Sequence, residues 1–299
     1  MRQMKLFGLC IILLAGVVLP PTAWSTVLFQ SGFEYAANTT PDFPPTGAAD
    51  GWFYNGGSCN DVRPCVYGDV STDVAHSGTK SWKADFPAGT SQPNNCCLVG
   101  LSHWLTASGL GYFRTPIIYV RYYTYLVNFV PAIPTTKNVY FRDENGTPNT
   151  FTAVLVFFDG QRELGIATQV EDDPTHCQPP AGGTFGNCND YPNIAHVFLN
   201  NNQWYCVESY IDMGTPGAAN GSLGVWIDGT QTALYTGRMF RNATRTDATV
   251  AWDQIRLMRQ DGQGIQYWDD VVVSTSRIGC LSAPSDTTPP TVPQNVTVQ

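Results

Sequence analysis

Hydrophobic positions along this chain recur at intervals of two, while helical periodicity is hard to find. Ile117 to Val130 (IIYVRYYTYLVNFV) is β-branched and aromatic throughout. Within it Tyr119, Arg121, Tyr123 and Tyr125 alternate with Val120, Tyr122, Thr124 and Leu126, which predicts a strand with one polar-aromatic face. Further strands are predicted at Val139–Arg142, Phe151–Phe158, Leu164–Gln169, Ala195–Leu199, Trp204–Met213, Leu223–Ile227, Thr232–Thr236, Gln254–Arg259 and Tyr267–Ser274. The dipeptides Asp159-Gly160, Asn220-Gly221, Asp228-Gly229 and Asp261-Gly262 fall between them as turn signals. About a dozen short strands in one run of chain suit a single all-β, two-sheet antiparallel sandwich.

Two long segments interrupt the strand pattern and read as loops. Residues 84–112 carry Cys96, Cys97, His103 and Trp104; residues 171–194 carry His176, Cys177 and Cys188. Loops of that length are uncommon unless functional or cross-linked.

The N-terminus has the three parts of a secretory signal. Arg2 and Lys5 form a positive start, Leu6 to Leu19 an apolar run, and Ala23-Trp24-Ser25 offers small residues for cleavage. The run is too short to be a comfortable membrane anchor. The expected organisation is therefore a signal peptide over 1–25, a sandwich over 26–281 and a Pro/Thr linker with one further strand over 282–299. Removing the signal removes Cys10 and leaves eight of the nine cysteines, an even number that suits disulfides in an exported chain. Short loops suggest Cys59–Cys65 and Cys177–Cys188, and Cys206–Cys280 would tie an interior strand to the C-terminal one.

Charge narrows the partners. Loss of Arg2 and Lys5 takes the formal charge from −8 to −10, because no acidic residue leaves with them. An acidic chain without a basic run argues against nucleic acid or an anionic membrane as partner. An anionic sugar remains open, since a few arginines in one cleft reverse the local potential. Five N-x-S/T sequons, opening at Asn38, Asn145, Asn220, Asn242 and Asn295, carry no functional information.

Three segments resemble concanavalin A-like jelly rolls, a superfamily of lectins, laminin-G-type modules, glycanases and several polysaccharide lyases. The first is Phe29-Gln-Ser-Gly-Phe-Glu34 with Trp52 and Ala75-His-Ser-Gly-Thr-Lys-Ser81. The second is Trp204-Tyr-Cys-Val-Glu-Ser-Tyr-Ile-Asp212 followed by Gly214 to Ser222 and Leu223-Gly-Val-Trp-Ile-Asp-Gly229; the third is Tyr267-Trp-Asp-Asp-Val-Val-Val-Ser-Thr-Ser-Arg-Ile-Gly279. Asp286 to Val298 resembles the opening strand of a fibronectin type III module. The resemblance implies a jelly roll that is secreted and interacts with polysaccharide, and a lyase acting on a uronate-containing glycan is the preferred expectation. A noncatalytic carbohydrate-binding or adhesion module is the alternative, and a glycoside hydrolase using Glu163, Glu208 or Asp212 ranks third, because paired carboxylates on one strand are absent.

β-Elimination needs a base for the C5 proton, an acid for the leaving oxygen and a cation beside the uronate carboxylate. His176 or His103 is the expected base, Tyr123 or Tyr140 the acid, and Arg121 or Arg142 the cation. Tyr119, Arg121, Tyr125, Tyr140 and Arg142 are the expected substrate-binding residues, since aromatic faces stack on sugar rings and guanidinium forks pair with carboxylates. A tyrosine-rich structural strand with Arg121 bonded to a buried acid is the competing expectation. Glu34 and Asp270 are expected to hold one structural calcium ion, with the carbonyl region around Lys80, as related sandwiches do between their first and last strands. No organic cofactor is expected.

Overall fold

The computed structural model describes residues 27–34, 52–56, 67–86, 98–104, 115–133, 135–142, 152–158, 160–169, 188–191, 195, 197–240, 252 and 254–281. In chain order the strands are β1 (Val27–Ser31), β2 (Trp52–Gly56), β3 (Tyr67–Ser71), β4 (Ser81–Phe86), β5 (Leu98–Trp104), β6 (Ile117–Val130), β7 (Thr135–Arg142) and β8 (Thr152–Phe158). They continue as β9 (Leu164–Gln169), β10 (Cys188–Tyr191), β11 (Trp204–Asp212), β12 (Gly221–Ile227), β13 (Thr230–Arg238), β14 (Gln254–Gln260) and β15 (Gln263–Ser274). One sheet, A, runs β13-β12-β11-β6-β15-β4-β3, with β1 also pairing β15; the other, B, runs β10-β9-β8-β7-β14-β5-β2. The pairings are antiparallel, which gives the two-sheet sandwich that the alternation predicts.

Three expectations change, the first being that the segment 171–194 is not loop throughout, since Cys188–Tyr191 forms β10 and pairs with β9. The described residues of the expected strand Ala195–Leu199, namely 195 and 197–199, form no strand and contribute the isolated bridge between Glu163 and Phe198. The segment 84–112 is not one loop: it holds the end of β4 and the whole of β5, so His103 and Trp104 lie in a strand of sheet B. The turn signal Asp228-Gly229 closes the β12–β13 hairpin, with φ of 50° and 78°, whereas Asp261-Gly262, with φ of 68° and 80°, turns the chain from β14 of sheet B into β15 of sheet A. Both residues of such a turn sit in the left-handed region, which Asp tolerates and Gly adopts freely.

The core lies between the sheets. Ile118, Val120, Tyr122 and Leu126 of β6 face it from A, and Val139, Phe141, Leu155, Phe157, Ile255 and Leu257 face it from B. Trp52, Trp252 and Trp268 are fully buried there. Each large apolar side chain so buried contributes about 1.5–3 kcal/mol from water exclusion. Among the described residues no helix is long and apolar enough to cross a membrane.

The side chains between these core positions point to the two outer faces, and the functional candidates divide accordingly. Tyr119, Arg121, Tyr123 and Tyr125 alternate with core residues of β6, so they stand on the outer face of sheet A. Tyr140 and Arg142 alternate with Val139 and Phe141, so they stand on the outer face of sheet B.

Candidate functional site

On sheet A the centre of the β6 face is covered. Arg121 and Tyr123 are only 3% and 5% exposed. His76, from the turn between β3 and β4, stacks on the Tyr123 ring at 3.4 Å between centroids. The segment after β15 crosses the same face: the Leu281 amide donates to the Tyr123 hydroxyl at 2.7 Å, and Cys280 is bonded to Cys206 of β11. Glu208, opposite Arg121 in the β11–β6 register, accepts from the amides of Ile278 and Gly279 at 2.6 and 3.1 Å. Arg277 reaches Glu208 at 3.5 Å and lies over the Trp226 ring. Arg121 sits 5.4 Å from the Tyr123 ring centre, the arrangement of a structural cation beneath a strap. Toward the margins the face stays partly open and aromatic, with Tyr119 stacked on Tyr210 at 4.9 Å and Tyr125 beside Trp204 at 5.3 Å.

Sheet B presents a different surface. β7 and β14 are neighbours near its middle; the side chains turned away from the core include Lys137, Tyr140 and Arg142 on one strand and Gln254, Arg256, Met258 and Gln260 on the other, of which Gln254, Met258 and Gln260 are buried. The Tyr140 hydroxyl donates to Gln260 Oε1 at 3.0 Å, Lys137 Nζ stands 5.9 Å from the Tyr140 ring centre, and Arg256 Nε donates to Gln254 Oε1. Burial pushes the Tyr140 phenol up from its ordinary value, while Arg142 and Arg256 pull the other way. Burial likewise holds Lys137 below the ordinary lysine range, against the nearby charge of Asp261. The result is a phenol that stays protonated and an amine that gives up its proton more readily, with two guanidiniums close by. Val154 and Val156 of β8 stand beside Tyr140 and Lys137 on this side of the sheet and are buried, at 2% and 1% exposure.

This sandwich has counterparts among solved structures. No protein-family model matches the chain, and no curated protein sequence matches it. A marine PL-14 alginate lyase from Aplysia kurodai superposes with a TM-score of 0.52 at 12% identity, over 69% of this chain and 86% of that one. An endo-β-1,4-glucuronan lyase from the fungus Trichoderma reesei gives 0.50 at 16% identity, over 75% and 95%. A double mutant of the alginate lyase Aly36B, in complex with alginate tetrasaccharide, gives 0.51 at 13% identity, over 86% and 98%. The likeness is one of fold.

Of the two expected bases, His103 registers with Ile255 and Trp52, both fully buried, and His176 lies outside the described residues. The hydrolase carboxylates do not gather: Glu208 is buried under the strap, Asp212 caps the amide of Gly214 at 2.8 Å, and Glu163 belongs to the other sheet's side. Lys137, Gln254, Arg256 and Gln260 were not singled out from the sequence. Gln254-Ile255-Arg256 carries a readable signal, two polar residues flanking an apolar one in a strand, whereas Lys137 carries none.

Glu34 and Asp270 grip one turn from its two ends. Glu34 accepts from the amides of Thr79 and Lys80 at 2.8 and 3.0 Å and from the Thr79 hydroxyl at 2.8 Å. Asp270 accepts from the Ser77 hydroxyl at 2.6 Å and meets His76 Nδ1 at 2.7 Å. Between them Gly78 has φ +61°, and a Cβ there would fall 2.2 Å from Glu34 Oε1. Asp270 itself has φ 46°, at the point where β15 leaves β4 and begins to pair β1. Among the described residues no three His, Cys, Asp or Glu side chains converge, so an ion here would draw the rest of its shell from backbone carbonyls. Two hard carboxylates at the paired chain ends, in a cradle that admits no Cβ, fit calcium by donor type.

Proposed function

We propose that this chain binds a uronate-containing polysaccharide on the outer face of sheet B and cleaves it by β-elimination. The observation that supports the reading is the gathering of Lys137, Arg142 and Arg256 around Tyr140 at the middle of that sheet, on a chain of net charge −8. Guanidinium forks suit the uronate carboxylate and would stabilise the carbanion that forms beside it. Lys137, its proton loosened by burial, accepts the C5 proton; the electron pair forms the C4–C5 double bond as the C4–O4 bond breaks. Tyr140 donates its phenolic proton to the departing O4, a role its raised pKa suits.

Incubation with alginate, polyglucuronate and a neutral glucan tests this through the ultraviolet absorbance of the unsaturated product. Product from a polyuronate, lost in Tyr140→Phe, is expected; hydrolysis without unsaturation, or product undiminished in Tyr140→Phe, overturns the mechanism. A noncatalytic binding module is the second reading, and the aromatic margin of sheet A favours it, where Tyr119 lies on Tyr210 and Tyr125 beside Trp204. Retention on insoluble glycan without any product would support that reading. The proposal also includes a structural calcium ion held by Glu34 and Asp270, which would clamp the first strand to the last without entering the chemistry.

A further inference from the structure

We infer that Asn138, buried in the core on the far side of β7, is the positioning residue that brings Lys137 onto the same face as Tyr140. The inference rests on the reading of that face as a uronate site.

The register of β7 against β8 carries it. Tyr140 pairs with Val154 and Lys137 with Val156, two positions apart on β8 and therefore on one face. On β7 the same two residues are three apart, and the register shifts between Lys137 and Val139. In a regular strand the residue three before Tyr140 would point into the core. The extra residue is Asn138: it and Val139 both turn inward, both fully buried, and Lys137 is thrown outward beside the tyrosine. A bulge re-aims the side chains beyond it, and here the re-aimed side chain is the only lysine on sheet B, in a sequence with four lysines altogether.

An inward-facing asparagine needs partners, because an unpaired amide in a dry core is costly. Asn138 finds them on the opposite sheet. Its Oδ1 accepts from Trp268 Nε1 at 3.1 Å and from Gln266 Nε2 at 3.0 Å, and its Nδ2 donates to the Tyr122 hydroxyl at 3.4 Å. Gln266 Nε2 also donates to Thr124 Oγ1, which in turn donates to the Tyr267 carbonyl, both at 3.0 Å. Residues of β6 and β15 thus hold the bulge in β7 through the interior, and no atom of that network reaches the outer face. A hydrophobic residue at 138 would lose those bonds, and the strand could then recover regular pairing by turning residue 138 outward and Lys137 inward.

The test reads Lys137 directly. Reductive dimethylation with 13C labels the lysines, a small set in which Lys137→Arg assigns the resonance. In the full-length wild type that resonance is expected to be displaced by the Tyr140 ring and to titrate below the ordinary lysine range. In Asn138→Leu it should lose the ring displacement and its titration should rise toward the ordinary lysine range, and affinity for polyuronate should fall about tenfold, as for one charge-assisted contact. Gln266→Leu, which weakens the network from the other sheet, should give a smaller shift in the same direction and serves if Asn138→Leu does not fold. An unmoved Lys137 resonance in a folded Asn138→Leu, or in Gln266→Leu where that variant alone folds, overturns the inference. A moved resonance with unchanged polyuronate affinity supports the positioning role and refutes the uronate reading instead.

Discussion

Two arginines that look alike in the sequence should behave oppositely. Arg121 is 3% exposed, sits 5.4 Å from the Tyr123 ring centre and stands opposite Glu208 in the β6–β11 register. Removing one partner of a buried charged arrangement costs about 3–5 kcal/mol. The lower end applies, because Glu208 keeps the amides of Ile278 and Gly279 together with Arg277, and because Nε and Nη1 of Arg121 have no hydrogen-bond partner among the described residues. Arg121→Ala should therefore lose about 3 kcal/mol, and a domain of this size should melt about 6–12 °C lower. Its polyuronate affinity, measured well below the melting temperature, should be unchanged. Arg256→Ala removes a half-buried guanidinium from the Tyr140 face and leaves Gln254 short of one donor. Its stability cost should stay within about 1–3 kcal/mol, while loss of a charge-assisted bond to the carboxylate should weaken polyuronate binding about ten- to a hundredfold. Paired thermal melts and binding isotherms decide the matter. Wild-type melting with lost binding in Arg121→Ala, and unaltered binding in Arg256→Ala, would move the site to sheet A and refute the reasoning.

Replacing both Cys206 and Cys280 by Ala opens a loop with a sequence separation of 74, for which the chain-entropy account gives about 4–5 kcal/mol; equal denaturant midpoints for the double variant and the parent would contradict it. Chelation should lower the melting temperature, added calcium should restore it, and Asp270→Ala should abolish the response; a metal-stripped protein indifferent to calcium removes the ion from the proposal. Asp73 is held below the usual carboxylate range, first by Lys83 at 2.9 Å and also by the Tyr267 hydroxyl at 3.1 Å. A depressed carboxylate stabilises above its unfolded pKa and loses that contribution as pH falls through its folded pKa, so Asp73→Asn should flatten the acid side of the stability curve; parallel curves would rule this out.

Much of the fold was legible because alternation and turn chemistry are local. The span Ile117–Val130 was read with its observed limits, as was Leu164–Gln169; Asp228-Gly229 closes a hairpin, and Asp261-Gly262 makes a turn that passes from one sheet to the other. The pairing of Cys206 with Cys280 also agrees with expectation, whereas Cys59, Cys65, Cys96, Cys97 and Cys177 lie outside the described residues. β5 was missed because Leu98–Trp104 contains Gly100, Ser102 and His103 and lacks the β-branched density of the other strands.

The site was legible only in part, for a physical reason that concerns both faces. Alternation assigns a side chain to one side of its strand, but it says nothing about what the rest of the chain lays over that side. On β6 the exposed-looking row Tyr119, Arg121, Tyr123, Tyr125 meets its cover from His76, more than forty positions earlier, and from Leu281, a separation of 158 from Tyr123. On β7 the opposite happens. Strict alternation back from Tyr140 places Asn138 outward and Lys137 inward, and the bulge reverses both. What decides the reversal is whether the Asn138 amide finds donors and an acceptor across the core, and those come from Tyr122, Gln266 and Trp268 on the other sheet. A polar residue inside a strand can therefore mean an outward face or a bulge with an interior partner, and only the opposite sheet tells them apart. Here that distinction decides whether the face around Tyr140 has an amine to take a proton or two arginines alone.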